Sequence, residues 1–403
     1  MSPVTATAVR FHEYGEPQDV LREERVEVAN PAAGHVRVRV SAVGLNPADW
    51  ELCRGFMAGS LPRGIGYDVA GTVDAVGDDV EDVAIGDLVF GTADFVGQPS
   101  AGVADIAILN RWYRVPDGLD PVEAAVLPMA VQTATWTLDA MGLEPGTMLL
   151  VNGAGATVGF AAVQIALRRG ARVIATAGPT FAGELTTFGA LVTPYGEGMA
   201  DRVRDLAGEP IDLVFDAPPP NAGSIPELIA IAGEPSRVMT ISNHDEARRL
   251  GARVNLDHLA GLAPPETFMS QYAALAADGA FRIPIARTYR SPIGGTPSSS
   301  ACPATPRQGR PAPRRTRRRR LSPMLDFPEL DGPLRRMTRP RAADAISAAS
   351  TATSKRISAN PAGRHAGTRM PIITCNRCQL SPVPNAPTAG HRYPSMSTIR
   401  IPG

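Results

Sequence analysis

At 403 residues the chain is long enough for two or three domains and a large core, and its net charge is zero. That balance conceals two polypeptides: residues 1–290 carry 21 Arg, no Lys and 36 acidic residues, a net of −15, and residues 291–403 carry 18 Arg, one Lys and 4 acidic residues, a net of +15. No basic-then-apolar start marks a targeting segment and no run approaches the roughly 18 apolar residues of a membrane helix, so a soluble cytoplasmic protein is the expectation. Of four cysteines only Cys53 lies in the first 290 residues, which excludes a disulfide framework there. Cys375 and Cys378 form a lone C-x-x-C in the basic part, without the second pair a zinc site needs.

The first 120 residues read as short strands with glycine corners. Val4 to Glu27 alternates around a Gly-Glu-Pro turn, which predicts two half-buried strands. Val36 to Gly44 alternates strictly, with its arginines expected to face solvent. Asn46-Pro47-Ala48-Asp49 follows as polar groups at a strand end, Ile65 to Gly77 is a glycine-punctuated strand, and Ile85 to Gly91 turns into another. Many short strands of this kind predict a small, partly open barrel. Pro121 to Leu138 then shows helical spacing and carries the chain into a different pattern.

From Thr147 strands and helices alternate: strand 148–151, helix 160–169, strand 172–176, helix 181–188, strand 191–193, helix 199–206, strand 211–216, helix 224–231 and strand 237–241. Alternation with nearly continuous apolar strands predicts a doubly wound parallel sheet covered by helices on both faces, a Rossmann domain. Its first turn, Gly153-Ala154-Gly155-Ala156-Thr157-Val158-Gly159, lies between strand and helix, where main-chain N–H groups and the helix dipole face an anion, most often a dinucleotide pyrophosphate. The second strand ends at Thr176-Ala177-Gly178 with no Asp or Glu to hold a ribose 2′-hydroxyl, which favours NADPH over NADH. The sequence Asp216-Ala217-Pro218-Pro219-Pro220 stiffens the loop after the strand that ends at Asp216.

Several motifs now fall in one order: Phe11-His12-Glu13-Tyr14-Gly15, Gly44 to Trp50, Gly66-Tyr67-Asp68-Val69-Ala70-Gly71, Val83 to Gly91, and Ala124 to Thr133 before the glycine turn. Together they resemble the zinc-independent quinone oxidoreductase branch of the medium-chain dehydrogenase/reductases over residues 4–290. Zinc-dependent relatives place a cysteine near Asn46 and Gly-His-Glu where Gly66-Tyr67-Asp68 stands, and no cysteine cluster lies between residues 80 and 120. The resemblance therefore implies no metal. It implies a GroES-like substrate domain over 1–122, an NADP(H)-binding Rossmann domain over 123–260 and a return segment over 261–290. The implied reaction is hydride transfer from NADPH to a quinone or an α,β-unsaturated carbonyl.

By the same resemblance Asn46 and Thr133 lie beside the nicotinamide, Gly155, Ala156, Thr157, Val158 and Gly159 under the pyrophosphate, and Tyr195 near the 2′-phosphate. Asn243 belongs at the nicotinamide end, with Gly153 and Thr176 completing the cofactor-binding set. Tyr67 would donate to a developing oxyanion or, alternatively, serve only in packing. Asp49 and Asp68 would brace loops, and the pocket walls would come from Phe56 to Pro62 and Leu262 to Met269. A homodimer would form through Val238 to Ile241 or the strand near Val254. The reading from another class is a non-catalytic NADPH-binding protein.

Residues 291–403 lose periodicity in favour of Pro, Arg, Ser and Thr, with the run Arg314-Arg315-Thr316-Arg317-Arg318-Arg319-Arg320, and disorder is the expectation. The resemblance implies a helix and a final strand here, and their absence from the pattern predicts an uncovered barrel edge. Back-translation of Pro292 to Ser300 with the codons CCG ATT GGC GGG ACG CCG TCG AGC TCA reads in another frame as Asp-Trp-Arg-Asp-Ala-Val-Glu-Leu, which resembles that helix. A frameshift near Arg290 or Ser291 would account for the change, and the nucleotide sequence tests it. The competing reading is a basic arm on nucleic acid, for which interleaved aromatics and a binding module are lacking.

Overall fold

The computed structural model describes residues 3–94, 97–98, 100–218, 223–258, 267–294 and 369–374. Alternating sequence builds its first half. In order come β1 (Val4–Phe11), α1 (Pro17–Val20), β2 (Arg22–Val28), β3 (Val36–Leu45), α2 (Pro47–Cys53), β4 (Arg63–Gly64), β5 (Asp68–Val76), β6 (Leu88–Ala93) and β7 (Ile106–Arg114). Strands β3, β5, β6 and β7 pair antiparallel in succession, and β7 pairs back onto β3 (Val36 opposite Leu109), which closes a small barrel. Strands β2, β1 and β4 form a separate three-stranded sheet. Closure alters one expectation: Arg39 faces solvent, but Arg37 is buried at 4% exposure, because its Nε pairs with Asp74 Oδ1 at 2.8 Å on the neighbouring strand.

The predicted helix from Pro121 to Leu138 is two helices, α3 (Pro121–Ala124) and α4 (Leu127–Met141). Pro128 explains the break, since it lacks an N–H and belongs in a first helical turn. The second half continues with β8 (Met148–Asn152), α5 (Thr157–Arg168), β9 (Arg172–Thr176), α6 (Pro179–Phe188), β10 (Leu191–Thr193), α7 (Met199–Ala207), β11 (Leu213–Asp216), α8 (Ile225–Ala232), β12 (Val238–Thr240), α9 (His244–Leu250) and β13 (Arg253–Val254). The strands form one parallel sheet in the order β10-β9-β8-β11-β12-β13. Its order reverses between β8 and β11, and an open α/β sheet offers its ligand crevice at the carboxyl ends of such a pair. All of β8 is buried, and Phe160 on α5 packs edge-on against Phe181 at 5.7 Å and Phe188 at 5.5 Å, ring to ring.

After β13 the chain forms α10 (Phe268–Ala277), which packs on α4, and Gln164 on α5 holds the segment beyond it by donating to the Arg282 carbonyl at 2.8 Å. The final described strands are β14 (Arg287–Gly294) and β15 (Arg369–Thr374). They correct the expectation of a bare barrel edge: β15 pairs parallel with β3, Ile373 opposite Gly44, and β14 pairs antiparallel with β15. Residues 369–374 are thus a strand within the basic region. The rest of that region, with the expected disorder and any nucleic-acid arm, lies outside the described residues, as do Pro219, Pro220 and residues 262–266.

Candidate functional site

Parallel strands β8, β9, β11 and β12 end in buried polar residues that share one network: Asn152, Thr176, Asp216 and Thr240. Asp216 joins them. Its Oδ1 accepts from Asn152 Nδ2 at 2.9 Å and Ser224 Oγ at 2.9 Å, and its Oδ2 accepts from Thr240 Oγ1 at 2.7 Å and Asn243 Nδ2 at 2.9 Å. Thr176 Oγ1 donates to Asn152 Oδ1 at 2.7 Å and accepts from the Gly153 N–H at 3.0 Å. The chain of bonds therefore runs from the glycine turn through β9 and β8 to the loop after β12. Thr176 and Asn243, both expected to bind cofactor, have these side-chain groups tied beneath the turn. The sequence reading passed over Asn152, Asp216 and Thr240 as a group; a single polar residue closing each apolar strand was the available signal.

The three glycines of the turn have different reasons to be glycine. Gly153 has φ +78°, and a Cβ there would lie 2.6 Å from the Pro218 nitrogen. A Cβ on Gly159 would lie 2.5 Å from the Gly153 carbonyl oxygen, so the first turn of α5 packs directly on the loop. Among the described residues a Cβ on Gly155 would meet Phe181 Cδ2 at 3.5 Å, an ordinary contact. No side chain caps α5, whose N-cap is Ala156, with Thr157, Val158 and Gly159 following. Its first N–H groups therefore suit an anion approaching over Gly155, and the residues present fit a dinucleotide pyrophosphate. Beyond β9, a Cβ on Gly178 would lie 3.7 Å from the hydroxyl of Tyr195, a side chain 58% exposed.

On the barrel side Asn46 starts α2. Its N–H donates to Asp49 Oδ2 at 2.8 Å and its Nδ2 donates to Asp68 Oδ2 at 2.9 Å. Asp68 Oδ1 accepts from the Met129 N–H at 2.9 Å in the first turn of α4, the helix that carries Thr133. Asp49 Oδ1 accepts from the Gly66 N–H at 2.7 Å. Both carboxyls act as braces, as the sequence implied: Asp68 fastens Asn46 to α4, and Asp49 fastens it to the loop before Tyr67. Burial raises the pKa of Asp68 well above the carboxylate range against the Asn46 bond, and the nearby Asp49 charge adds to the rise. Burial also lifts Asp49 to about 6, against backbone N–H bonds from Asn46, Gly66 and Tyr67.

A raised folded-state pKa means the folded chain binds the proton more tightly than the unfolded chain. Asp49's contribution is therefore complete below the ordinary aspartate value of 3.8 and is lost as pH rises through about 6. The stability difference between the wild-type protein and Asp49→Asn should shift against the wild type by about 2 kcal/mol from pH 4 to pH 7. Urea unfolding at both pH values measures it, and a constant difference would refute the assignment.

Two hollows adjoin these networks. One of about 400 Å³ is lined by Phe56, Ser242, Asn243, His244, Arg248 and Leu256 among others. Across it the Phe56 and His244 rings are 6.2 Å apart, and His244 Nε2 is buried with no partner. Burial lowers the pKa of His244. The other, about 300 Å³, lies against β6, β7 and α4 and is lined by Tyr67, Thr92, Asn110, Arg111, Gln132 and Trp136. Burial and the Asp68 charge raise the pKa of Tyr67 against its hydrogen bond with Thr92 and the charge of Arg111, so the phenol keeps its proton at neutral pH. Thr133, one residue from Gln132, directs its hydroxyl to Met129 Sδ at 3.6 Å. The described residues contain no group of three or more His, Cys, Asp or Glu able to hold a metal, and no helix among them is long and apolar enough to cross a membrane.

Known proteins share this arrangement. The alcohol dehydrogenase GroES-like domain family matches residues 32–107, the closed barrel. Quinone oxidoreductase of Sus scrofa is 34% identical over 177 residues, covering 43% of this chain and 53% of that protein. Erythronolide synthase of Saccharopolyspora erythraea is 37% identical over 210 residues, 50% of this chain and 6% of the synthase. The chain thus spans about half the length of the quinone oxidoreductase and a small part of the synthase. Among solved structures, the quinone oxidoreductase from Coxiella burnetii superposes with a TM-score of 0.57 at 25% identity, covering 70% of this chain and 91% of that one. The GroES-like barrel, the doubly wound sheet and these relatives agree, and together they support a likeness to the medium-chain dehydrogenase/reductases, on their quinone oxidoreductase-like side.

Proposed function

We propose that the chain binds NADPH along the Gly153–Gly159 turn and reduces a quinone or an α,β-unsaturated carbonyl without zinc. The observation that carries this reading is the turn itself: Gly153 takes a φ of +78° that favours glycine, Gly159 packs directly on the turn, the N-cap of α5 makes no side-chain cap bond, and the sheet's switch point lies beneath them. The related quinone oxidoreductase names one acceptor class. NADPH, when bound, supplies the hydride. Asn152, Thr176 and Asp216 hold the turn in shape, Asp68 fixes the Asn46 amide against α4, and the Tyr67 hydroxyl turns from Thr92 to donate its hydrogen bond to the acceptor oxygen as charge gathers there. A solvent proton then completes the two-electron reduction. Thr133 and Asn243 would flank the nicotinamide end, and a second copy would pair at β13, the outermost strand of the parallel sheet.

The absence of an acid at the end of β9 and the nearness of Tyr195 to Gly178 support the phosphorylated cofactor. NADPH should bind at least about tenfold more tightly than NADH, roughly 1.4 kcal/mol. Titration of cofactor fluorescence measures this, and equal affinities would contradict the choice. NADPH consumption with 1,4-benzoquinone or an enone, before and after dialysis against a chelator, tests the chemistry. Turnover should survive dialysis, whereas tight binding without turnover on either acceptor would defeat the catalytic reading.

A further inference from the structure

The 300 Å³ hollow beside Tyr67 carries an excess of unanswered donors. Gln132 is 7% exposed and makes no side-chain hydrogen bond among the described residues. Trp136 Nε1 is buried with no hydrogen-bond partner among the described residues. Thr92 gives its proton to Asn110 Oδ1 at 2.8 Å, which turns the Asn110 amide into a donor for the hollow. Arg111 lines the same space without an ion pair or hydrogen bond to any described residue, although most arginines of this acidic region do have carboxylate or carbonyl partners. Of these groups the Gln132 amide and the Trp136 N–H are buried, where a donor without an acceptor costs about 1–3 kcal/mol, whereas Asn110 and Arg111 are exposed, so an occupant rich in acceptor oxygens relieves the two buried donors and can also reach the exposed ones.

We propose that this hollow takes an acceptor bearing a carboxylate, paired with Arg111 and hydrogen-bonded by Gln132 and Trp136, so that Arg111 selects conjugated carbonyl compounds carrying an anionic end. The inference rests on the reductase reading above for the word acceptor, and on the hollow's own groups for the anion. Guanidinium suits this role because its fork matches a carboxylate with two parallel bonds. Tyr67 and Arg111 line the same hollow, so a carboxylate placed against Arg111 shares that space with the phenol proposed to meet the carbonyl.

The test uses the full chain and two matched pairs of small molecules. Trans-4-oxopent-2-enoate and its methyl ester differ in the charge, in one methyl group and in the electron demand of the alkene, so the reading is taken from how each variant changes their ratio; the saturated pair, 4-oxopentanoate and its methyl ester, removes the difference in reactivity. Turnover of the first pair with NADPH is compared for the wild-type protein, Arg111→Ala and Arg111→Lys, and binding of the second pair with NADP⁺ present is followed by calorimetry. The expected acid-to-ester ratio in kcat/KM exceeds about 10 for the wild type, falls at least tenfold in Arg111→Ala and recovers in part in Arg111→Lys. Trp136→Phe should weaken 4-oxopentanoate binding several-fold. Ester turnover with no preference for the acid, or a ratio unmoved by Arg111→Ala, overturns the inference and leaves the reductase reading standing. Arg111-dependent binding of 4-oxopentanoate without turnover of either enone upholds the anion site and removes the reductase reading. No binding and no turnover defeat both.

Discussion

Asp216→Ala should destabilise the protein by about 3–5 kcal/mol, among the largest losses open to a single side chain outside the apolar core. The carboxylate is fully buried and answers four side-chain donors, from Asn152, Ser224, Thr240 and Asn243. Its removal leaves those donors facing a cavity, and the Asn152 amide that orients Thr176 loses its anchor. The Gly153 N–H bond to Thr176 then loosens, so cofactor affinity should fall with stability. Asp216→Asn retains the volume but presents an NH₂ group where only donors converge, and it should recover less than half of the loss. Urea unfolding of both variants measures the effect. A loss below about 1 kcal/mol in Asp216→Ala would show that the network contributes little.

Gly155→Val and Gly153→Ala should separate binding from folding at the turn. Among the described residues a Cβ at Gly155 would meet the Phe181 ring at 3.5 Å and no backbone within 4 Å, so a side chain projects into the space assigned to the pyrophosphate. NADPH affinity should drop by about 100-fold or more, roughly 2.7 kcal/mol, with a stability change under about 1 kcal/mol. Gly153→Ala behaves differently. Its φ of +78° disfavours any side chain, and the new Cβ would strike backbone at Pro218, which has no rotamer by which to move away. Stability and binding should both suffer, by about 2–4 kcal/mol for the fold. Fluorescence titration with NADPH beside thermal unfolding distinguishes the two. Unchanged affinity in Gly155→Val would place the phosphates elsewhere.

Much of this was legible in the residues themselves. Apolar runs such as Met148 to Val151 and Arg172 to Thr176, with helical spacing between them, specify a parallel pair with a crossover helix, because each must be covered on both faces. Alternation specifies the barrel strands in the same way. The glycine turn was visible because few residue types accept its backbone. Ile106 to Arg114 was missed as a strand, and so was the short helix after Asn46, whose start is fixed by Asp49 rather than by any long periodic run.

Other features depend on pairs distant in sequence. Arg37 was expected in solvent because its own strand alternates, but the charge of Asp74 lies 37 residues away and only the register of β3 against β5 unites them. The Asp216 network likewise draws on positions from 152 to 243. The hollow with Arg111 exists because β6 and β7 close against α4. Local sequence determines which backbone conformations and buried faces are available, since those depend on neighbours along the chain. Which donors find an acceptor, and which are left for a ligand, is decided only when strands meet in three dimensions.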